Sequence, residues 1–175
     1  MLERVLAGLL VVPFLLGAAA APADKAQVVF SFQDGDIVES SGLAVVRGLV
    51  VTTNDSGDTG RVFAVDPATG ETVGVTGWAN EPTDVEALAP LGDHEVWVGD
   101  IGDNTESRDS IQVSVVPVGS GNRDVDAPVY DLVYPDGPHD AETLMSDPAN
   151  GRLYVATKGV LGGTCLLYTS DAADE

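Results

Sequence analysis

The chain has 175 residues, with 28 acidic against 8 basic side chains and a formal net charge of −20. A charge this negative repels phosphate backbones and argues against nucleic acid as a partner, while it makes divalent cations natural counter-charges. The 20 glycines, 10 prolines and recurrent valine-rich runs favour an all-β fold. Acidity that only keeps the protein soluble is the alternative explanation of the charge.

The first 23 residues have the pattern of a signal peptide. An apolar run over 5–21 follows Arg4, and Ala21 and Ala23 place small residues at the −3 and −1 positions of a cleavage site before Asp24. The sequence therefore predicts a secreted protein of the extracellular space or cell envelope, with no membrane contact after cleavage. An uncleaved membrane anchor is the alternative, because the apolar run is about as long as a bilayer requires.

A series of short strands follows this leader. The alternation of apolar residues predicts one strand over 27–32 and four more over 43–46, 49–53, 61–66 and 72–75. The sequence DPATG at 66–70 places proline and glycine for a tight turn between the last two. The strand over 27–32 has no partner nearby in sequence, and we expect it to complete the last sheet of a closed ring.

Two further groups of strands are predicted downstream. The stretch 84–104 predicts a hairpin that turns at Gly92-Asp93-His94, and its group comprises strands over 85–90, 95–99, 111–116 and 129–134. Within this group, residues 119–127 are expected to form a polar surface loop. The last group comprises strands over 141–145 and 152–157, with a turn between them.

The strand groups repeat along the chain. Glu39 precedes Asp84 by 45 residues, the loop at 55–58 precedes that at 100–103 by the same 45, and Asp140 follows Asp84 by 56. Periods of ~40–50 residues built from short strands are typical of β-propellers with four strands per blade. The sequence therefore predicts a truncated propeller of about three blades within 24–163: blade one over 40–76, blade two over 84–134, and an incomplete blade three from 140.

Residues 164–175 lack the pattern that precedes them. The string CLLYTSDAADE resembles translated sequencing-adapter read-through, so we predict a non-native tail. Cys165, the one cysteine, then carries no disulfide argument. A genuine chain end is the alternative.

The repeat is expected to bring acidic residues to one end of the sheets. The first strand of each propeller blade lines the central channel, so the D-x-E entrances face one mouth, to which the loops after the second strands return. Ca²⁺ suits such a mouth because it accepts six to eight oxygen ligands in irregular geometry. The candidate ligands are Asp55, Asp58, Asp84, Glu86, Asp100, Asp103, Asn104, Asp140 and Glu142. Ordinary turn composition is the alternative for the loop acids.

Signatures of a catalytic nucleophile are missing from the sequence. There is no G-x-S-x-G elbow, no H-E-x-x-H and no phosphate-binding glycine loop. Arg108 is expected to pair with an acid of the loop at 100–104. His139 is expected to be an ordinary loop histidine, with a role as base or ligand as the alternative.

Four strings resemble a known class of proteins. SGLA at 41–44, NDSGD at 54–58, VGDIGDN at 98–104 and YPDGPHDAETL at 134–144 resemble secreted bacterial β-propeller proteins of the NHL-repeat or WD-repeat type. More distantly, the D-x-E-x-L entrances look like those of phytase-like and gluconolactonase-like propellers. The resemblance implies a propeller fold and a divalent cation, Ca²⁺ above all, at the channel.

Three functions remain open at this point. The first is a secreted propeller that binds a divalent cation and a small-molecule or protein ligand without catalysis. The second, implied by the phytase-like and lactonase-like resemblance, is a Ca²⁺-dependent hydrolase in which Glu86, Asp100 and Glu142 hold the ion. The third is a purely structural interaction domain whose acids are solvated turn residues.

Overall fold

The computed structural model of the protein describes residues 27–159 and the backbone of 165–168. All regular secondary structure in these ranges is β-strand, which confirms the all-β prediction. Within the same ranges, no helix has the length and apolar character that a membrane span requires. The predicted signal peptide lies outside the described residues, and so does the predicted tail, apart from one strand over 165–168.

Twelve strands are found in the described part of the chain. In chain order they are β1 (Ser40–Val46), β2 (Leu49–Asn54), β3 (Arg61–Val65), β4 (Thr72–Trp78), β5 (Val85–Leu91), β6 (Glu95–Asp100), β7 (Ile111–Pro117), β8 (Arg123–Val125), β9 (Val129–Leu132), β10 (Ala141–Ser146), β11 (Leu153–Thr157) and β12 (Cys165–Tyr168). They form three sheets, with strand orders β1-β2-β3-β4-β8, β5-β6-β7-β9 and β10-β11-β12, called here the first, second and third sheet.

The strands predicted from residue 43 onward are all present, with ends within three residues of the expected positions. β1 shows why the apolar alternation was informative. Ala44 and Val46 are buried, whereas Leu43 and Val45 between them are exposed. Successive side chains of a strand point to opposite faces of the sheet, so one face of β1 packs on a core.

The strand predicted over 27–32 is wrong, because residues 27–34 belong to no sheet. This segment instead runs beside the turn between β3 and β4, where the backbone N–H of Gln33 donates to the carbonyl of Gly70 at 2.9 Å. Alternating apolar residues satisfy the strand pattern, but a strand also needs a partner edge.

The loop predicted over 119–127 is wrong in part, because it contains β8. This strand leaves the second sheet and pairs in parallel with β4, at the edge of the first. Gly74 of β4 permits the approach, since a Cβ atom there would lie 2.8 Å from the carbonyl oxygen of Gly121. The Asn122 side chain also accepts a hydrogen bond from the Val75 N–H at 3.1 Å. β8 therefore links the two sheets: it lies between two strands of the second sheet in sequence but pairs with the first sheet.

The three sheets pack face to face around two apolar cores. The first core lies between the first and second sheets and includes Val51, Val62 and Val98. The second lies between the second and third sheets and includes Ile111 and Val155. Each such side chain contributes roughly 1.5–3 kcal/mol when fully buried. The second sheet is thus covered on both faces.

The first strands of the sheets lie side by side, with β1 against β5 and β5 against β10. β1 and β5 approach so closely at Gly42 that a Cβ atom there would lie 2.8 Å from the backbone nitrogen of Leu88 and 2.9 Å from the carbonyl carbon of Ala87. This contact brings the starts of the strands, and the acidic residues around them, to one place.

Candidate functional site

Each first strand carries a β-bulge near its start. The pairing of β5 with β6 skips one residue between Val85 and Ala87, and that of β10 with β11 skips one between Ala141 and Thr143. The extra residues are Glu86 and Glu142. β1 has its irregularity at the same place, between Ser40 and Leu43. Because a bulge bends its strand and redirects the extra side chain, the fold sets these two glutamates apart from the regular strand alternation.

A backbone hydrogen bond recurs beside each bulge. A residue just beyond the second strand donates its N–H to the carbonyl of the residue before the bulged start of the first strand. The three bonds run from Asp55 to Glu39 at 3.0 Å, from Gly102 to Asp84 at 3.1 Å, and from Lys158 to Asp140 at 2.7 Å. Asp55 and Lys158 directly follow their strands and are structurally equivalent, whereas Gly102 makes the same hydrogen bond from the second position after β6. The two D-x-E entrances that begin at Asp84 and Asp140 thus have the same kind of backbone partner.

The last residue of the second strand has a shared structural role in two sheets. Asn54 accepts hydrogen bonds from two backbone N–H groups ahead of β1, and Asp100 accepts from two ahead of β5. The donors are Val38 and Glu39 at 3.1 and 3.3 Å, and Thr83 and Asp84 at 2.9 and 2.8 Å. Asp100 is thus the equivalent of Asn54.

The 45-residue repeat in the sequence matches Asp100 with Asp55, but the strand pairing in the structure differs from this match by one residue. Ser40 pairs with Asn54, whereas Val85 pairs with Asp100. The cause is the hairpin turn, which has two residues between Val46 and Leu49 but three between Leu91 and Glu95. The offset of 45 therefore holds for the first strands alone.

Three of the predicted ligands form a cluster, referred to below as the acidic cluster. One carboxylate oxygen from each of Asp55, Asp84 and Glu86 lies within 4.8 Å of the others, and all three residues are half-buried. Ser41 donates its hydroxyl to Glu86 Oε2 at 3.1 Å. Asp55 comes from the loop after β2, so the cluster joins the first sheet to the second.

The electrostatics of the acidic cluster disfavour full ionisation. Burial, the neighbouring charge of Glu142, and then those of Asp55 and Asp84 raise the pKa of Glu86 to about 7. Burial and the charges of Asp55, Asp100 and Asp140 also raise the pKa of Asp84. Among the described residues, none of the cluster carboxylates makes an ion pair with a basic side chain. Within the described part of the chain, the cluster therefore has no counter-charge.

Two other predicted ligands, Asp100 at the end of β6 and Asp103 in the loop after it, hold that loop in its conformation. Arg108 donates to Asp100 Oδ1 at 2.8 Å, which confirms the expected pairing of this arginine with a loop acid. Asp103 Oδ2 accepts from the N–H groups of Ser107 and Arg108 at 2.7 and 2.8 Å. These carboxylates already have several donors, and both residues are buried. Asn104, beside them, is exposed.

The remaining predicted ligands are not members of the cluster and have basic partners. Lys158 forms ion pairs with Asp140 and Glu142. Asp58 accepts from Arg61 Nε at 2.9 Å. Burial alone would raise the pKa of Asp58, but the hydrogen bonds from Arg61 and Asn54 outweigh it and lower the pKa. His139 contacts Asp136 at 3.0 Å, at the surface.

Lys158 is a residue beside the predicted ligands that sequence reasoning missed. The sequence gives a weak indication of this residue. Lys158 directly follows the second strand of the third sheet, and Asp55 occupies the same position in the first sheet. Only the structural register makes the two positions comparable.

Gly102 provides the space for the Asp84 carboxylate. A Cβ atom on Gly102 would lie 2.5 Å from Cγ and 3.0 Å from Cβ of Asp84, closer than real side chains approach. Any larger residue at 102 therefore has to rotate Asp84 away from its present position. Comparison of the sequence with protein-family models and with curated proteins finds no match.

Proposed function

We propose that the three sheets are successive blades of a β-propeller, and that the acidic cluster binds a divalent cation on the rim that they share. Support for the blades comes from the order of the strands, which in the second sheet runs outward along the chain from β5 to β9. The side-by-side first strands and the recurrent bulge support it as well.

The observation that carries the cation proposal is a cluster of three carboxylates with no basic partner in the described chain. Like charges this close raise one another's pKa, and a bound cation is the usual compensation. Ca²⁺ is the preferred ion because the ligands are all oxygens, come from two sheets, and leave room for water at a half-buried site. Mg²⁺ demands a stricter octahedral arrangement.

We propose a binding role without catalysis, in a protein that acts outside the cytoplasm. The export proposal rests on the leader pattern of residues 1–23. The binding role rests on the partners of the acids: of the three residues implied for a hydrolase, Asp100 is tied to Arg108 and Glu142 to Lys158, and Glu86 alone lacks a basic partner in the described chain. The ligand or partner displayed beside the cation is a small molecule or a protein.

Thermal unfolding of the purified chain with and without Ca²⁺ tests this proposal. With a dissociation constant of about 1 mM, typical of extracellular calcium modules, 10 mM Ca²⁺ adds about 1.4 kcal/mol. That corresponds to a rise in Tm of about 3–6 °C for a domain of this size. Asp93→Asn, an exposed acid in the turn between β5 and β6, is the matched control and should keep the full shift. A Tm that Ca²⁺ leaves unchanged contradicts the proposal.

We expect Gly102→Ala to weaken Ca²⁺ binding by about tenfold, because the new methyl group rotates the Asp84 carboxylate out of the cluster. Calcium titration followed by calorimetry measures the effect. Gly35→Ala is the control, since a Cβ at Gly35 meets nothing within 4 Å. Unchanged affinity in the Gly102 variant would show that Asp84 is no ligand.

A further inference from the structure

An open cleft lies on the first sheet, where β3, β4 and β8 adjoin. Its volume is about 460 Å³, toward the lower end of the range of roughly 300–1,000 Å³ that small-molecule sites have. The residues that line it include Arg61, Val75, Gly77, Trp78 and Asp124. No residue of the acidic cluster is among its lining residues, so the cleft is a separate feature of the molecule.

The cleft forms where one residue in a row of three has no side chain. Arg61 of β3 pairs with Gly77 of β4, and Gly77 pairs with Asp124 of β8. Neighbours in such a row project from the same face of a sheet. The side chains of Arg61 and Asp124 therefore border the gap that Gly77 leaves. A Cβ atom on Gly77 would lie 2.7 Å from Asp124 Oδ1, so a larger residue there has to displace this carboxylate.

The two charged groups beside the gap differ in their partners. Arg61 donates from Nε to Asp58 at 2.9 Å and from Nη1 to Asp36 at 3.2 Å, which fixes the guanidinium and balances its charge. Its Nη2 group has no such bond in the described chain. The Asp124 carboxylate makes neither a hydrogen bond nor an ion pair with any residue that the structure describes. The cleft thus has a donor on one side and an acceptor on the other.

We infer that the cleft binds a neutral sugar, as a single pyranose unit. A hydroxyl group both donates and accepts hydrogen bonds, so adjacent hydroxyls of one ring can donate to Asp124 and accept from Arg61. The apolar C–H groups of the ring can contact Val75 and Trp78, which also line the cleft.

The charges around the cleft favour an uncharged ligand. An anion would meet the Asp124 carboxylate, in a chain whose net charge is −20. A cation would meet the guanidinium of Arg61, and a sugar avoids both repulsions. The inference is independent of the cation proposed for the acidic cluster, because the two sites share no residue.

Titration of the ¹⁵N-labelled full chain with the methyl glycosides of glucose, galactose and mannose tests the inference. The sequence has two tryptophans and therefore two indole N–H resonances, which Trp97→Phe assigns. Trp78 lines the cleft, whereas Trp97 packs against the second core. We expect at least one glycoside to shift the Trp78 resonance saturably, with a dissociation constant in the millimolar range, and to leave the Trp97 resonance in place.

Two variants locate the binding. Asp124→Asn should weaken it by about tenfold, because a hydrogen bond to a charged group is lost. Gly77→Val should abolish it by filling the gap with a residue that suits a strand. Asp126→Asn, at an exposed acid that does not line the cleft, is the matched control and should keep the wild-type affinity.

Two results would overturn the inference. One is a Trp78 resonance that none of the three glycosides shifts at about 50 mM. The other is unchanged affinity in every folded cleft variant, since the sugar then binds elsewhere. Weaker binding in either folded variant, with Asp126→Asn unchanged, supports the cleft. A variant without a cooperative thermal transition is judged through the other. The titrations contain EDTA, so their outcome is separate from that of the calcium experiments.

Discussion

We expect Gly42→Ala to destabilise the protein by about 3 kcal/mol, which is the upper range for overpacking of a well-packed contact. The added methyl group would lie 2.8 Å from the Leu88 nitrogen and 2.9 Å from the Ala87 carbonyl carbon. Both are backbone atoms of β5, so a change of side-chain rotamer cannot relieve the clash. The first and second sheets have to separate, and the core between them loses contacts. Urea unfolding followed by tryptophan fluorescence measures the change.

Gly35→Ala is the matched control for this substitution. Nothing lies within 4 Å of a Cβ at Gly35, so we expect a change within about 0.5 kcal/mol. If Gly42→Ala is as stable as this control, the close approach of β1 to β5 does not exist in solution.

We expect Glu86→Gln to stabilise the calcium-free protein at pH 8 and to abolish its stabilisation by Ca²⁺. The pKa of Glu86 in the folded chain, about 7, lies above the ordinary glutamate value of 4.5. Between these values the folded chain holds a proton that the unfolded chain releases, so stability falls as pH rises through this window. After discounting for solvent screening, we expect Glu86→Gln to raise the free energy of unfolding at pH 8 by on the order of 1–2 kcal/mol.

The pH dependence gives this prediction its sign. At pH 4 both states of the wild type hold most of the proton, so the variant and the wild type should be nearly equal. In 10 mM Ca²⁺ at pH 8 the advantage of the variant should shrink by about 1.4 kcal/mol, because the ion stabilises the wild type alone. Glu71→Gln, at an exposed acid outside the cluster, is the control and should behave as the wild type. If Glu86→Gln is less stable than the wild type at pH 8 without calcium, the unfavourable ionisation of Glu86 in the folded chain is contradicted.

The strands of the first two sheets could be predicted because local patterns determine them. Valine alternation marks each strand, and turns such as Asp66–Gly70 separate them with residues whose backbone preferences are known. In that turn the Gly70 N–H donates to the Asp66 carbonyl at 2.7 Å, and Gly70 has a φ of 78°. The information lies within a few residues of each element.

The features that escaped prediction depend on distant partners. β8 has three residues, two of them charged, and forms because the edge of β4 is available 47 residues earlier. The segment 27–32 has a strand pattern but lies beside a turn, where it finds no free edge. Neither outcome is encoded in the local sequence.

The acidic cluster was predictable in part for the same reason. The D-x-E entrances at Asp84 and Asp140 stand out in the sequence, and their common setting follows from the repeat. Which acids stay free of partners depends on the positions of a few basic residues. Lys158 pairs with Glu142, which looks equivalent to Glu86 in the sequence, and Arg108 pairs with Asp100, which looks equivalent to Asp55. One additional residue in the turn between β5 and β6 places Asp100 at the end of the second strand, one position before that of Asp55.

The pairing of β8 with β4 affects the order in which the first two sheets can form during synthesis. The outermost strand of the first sheet is contributed by residues 123–125, which leave the ribosome after the strands β5 to β7 of the second sheet. The amino-terminal sheet therefore keeps an open edge until the next sheet has emerged. The two sheets are expected to gain protection from hydrogen exchange together, as one cooperative unit, rather than one after the other.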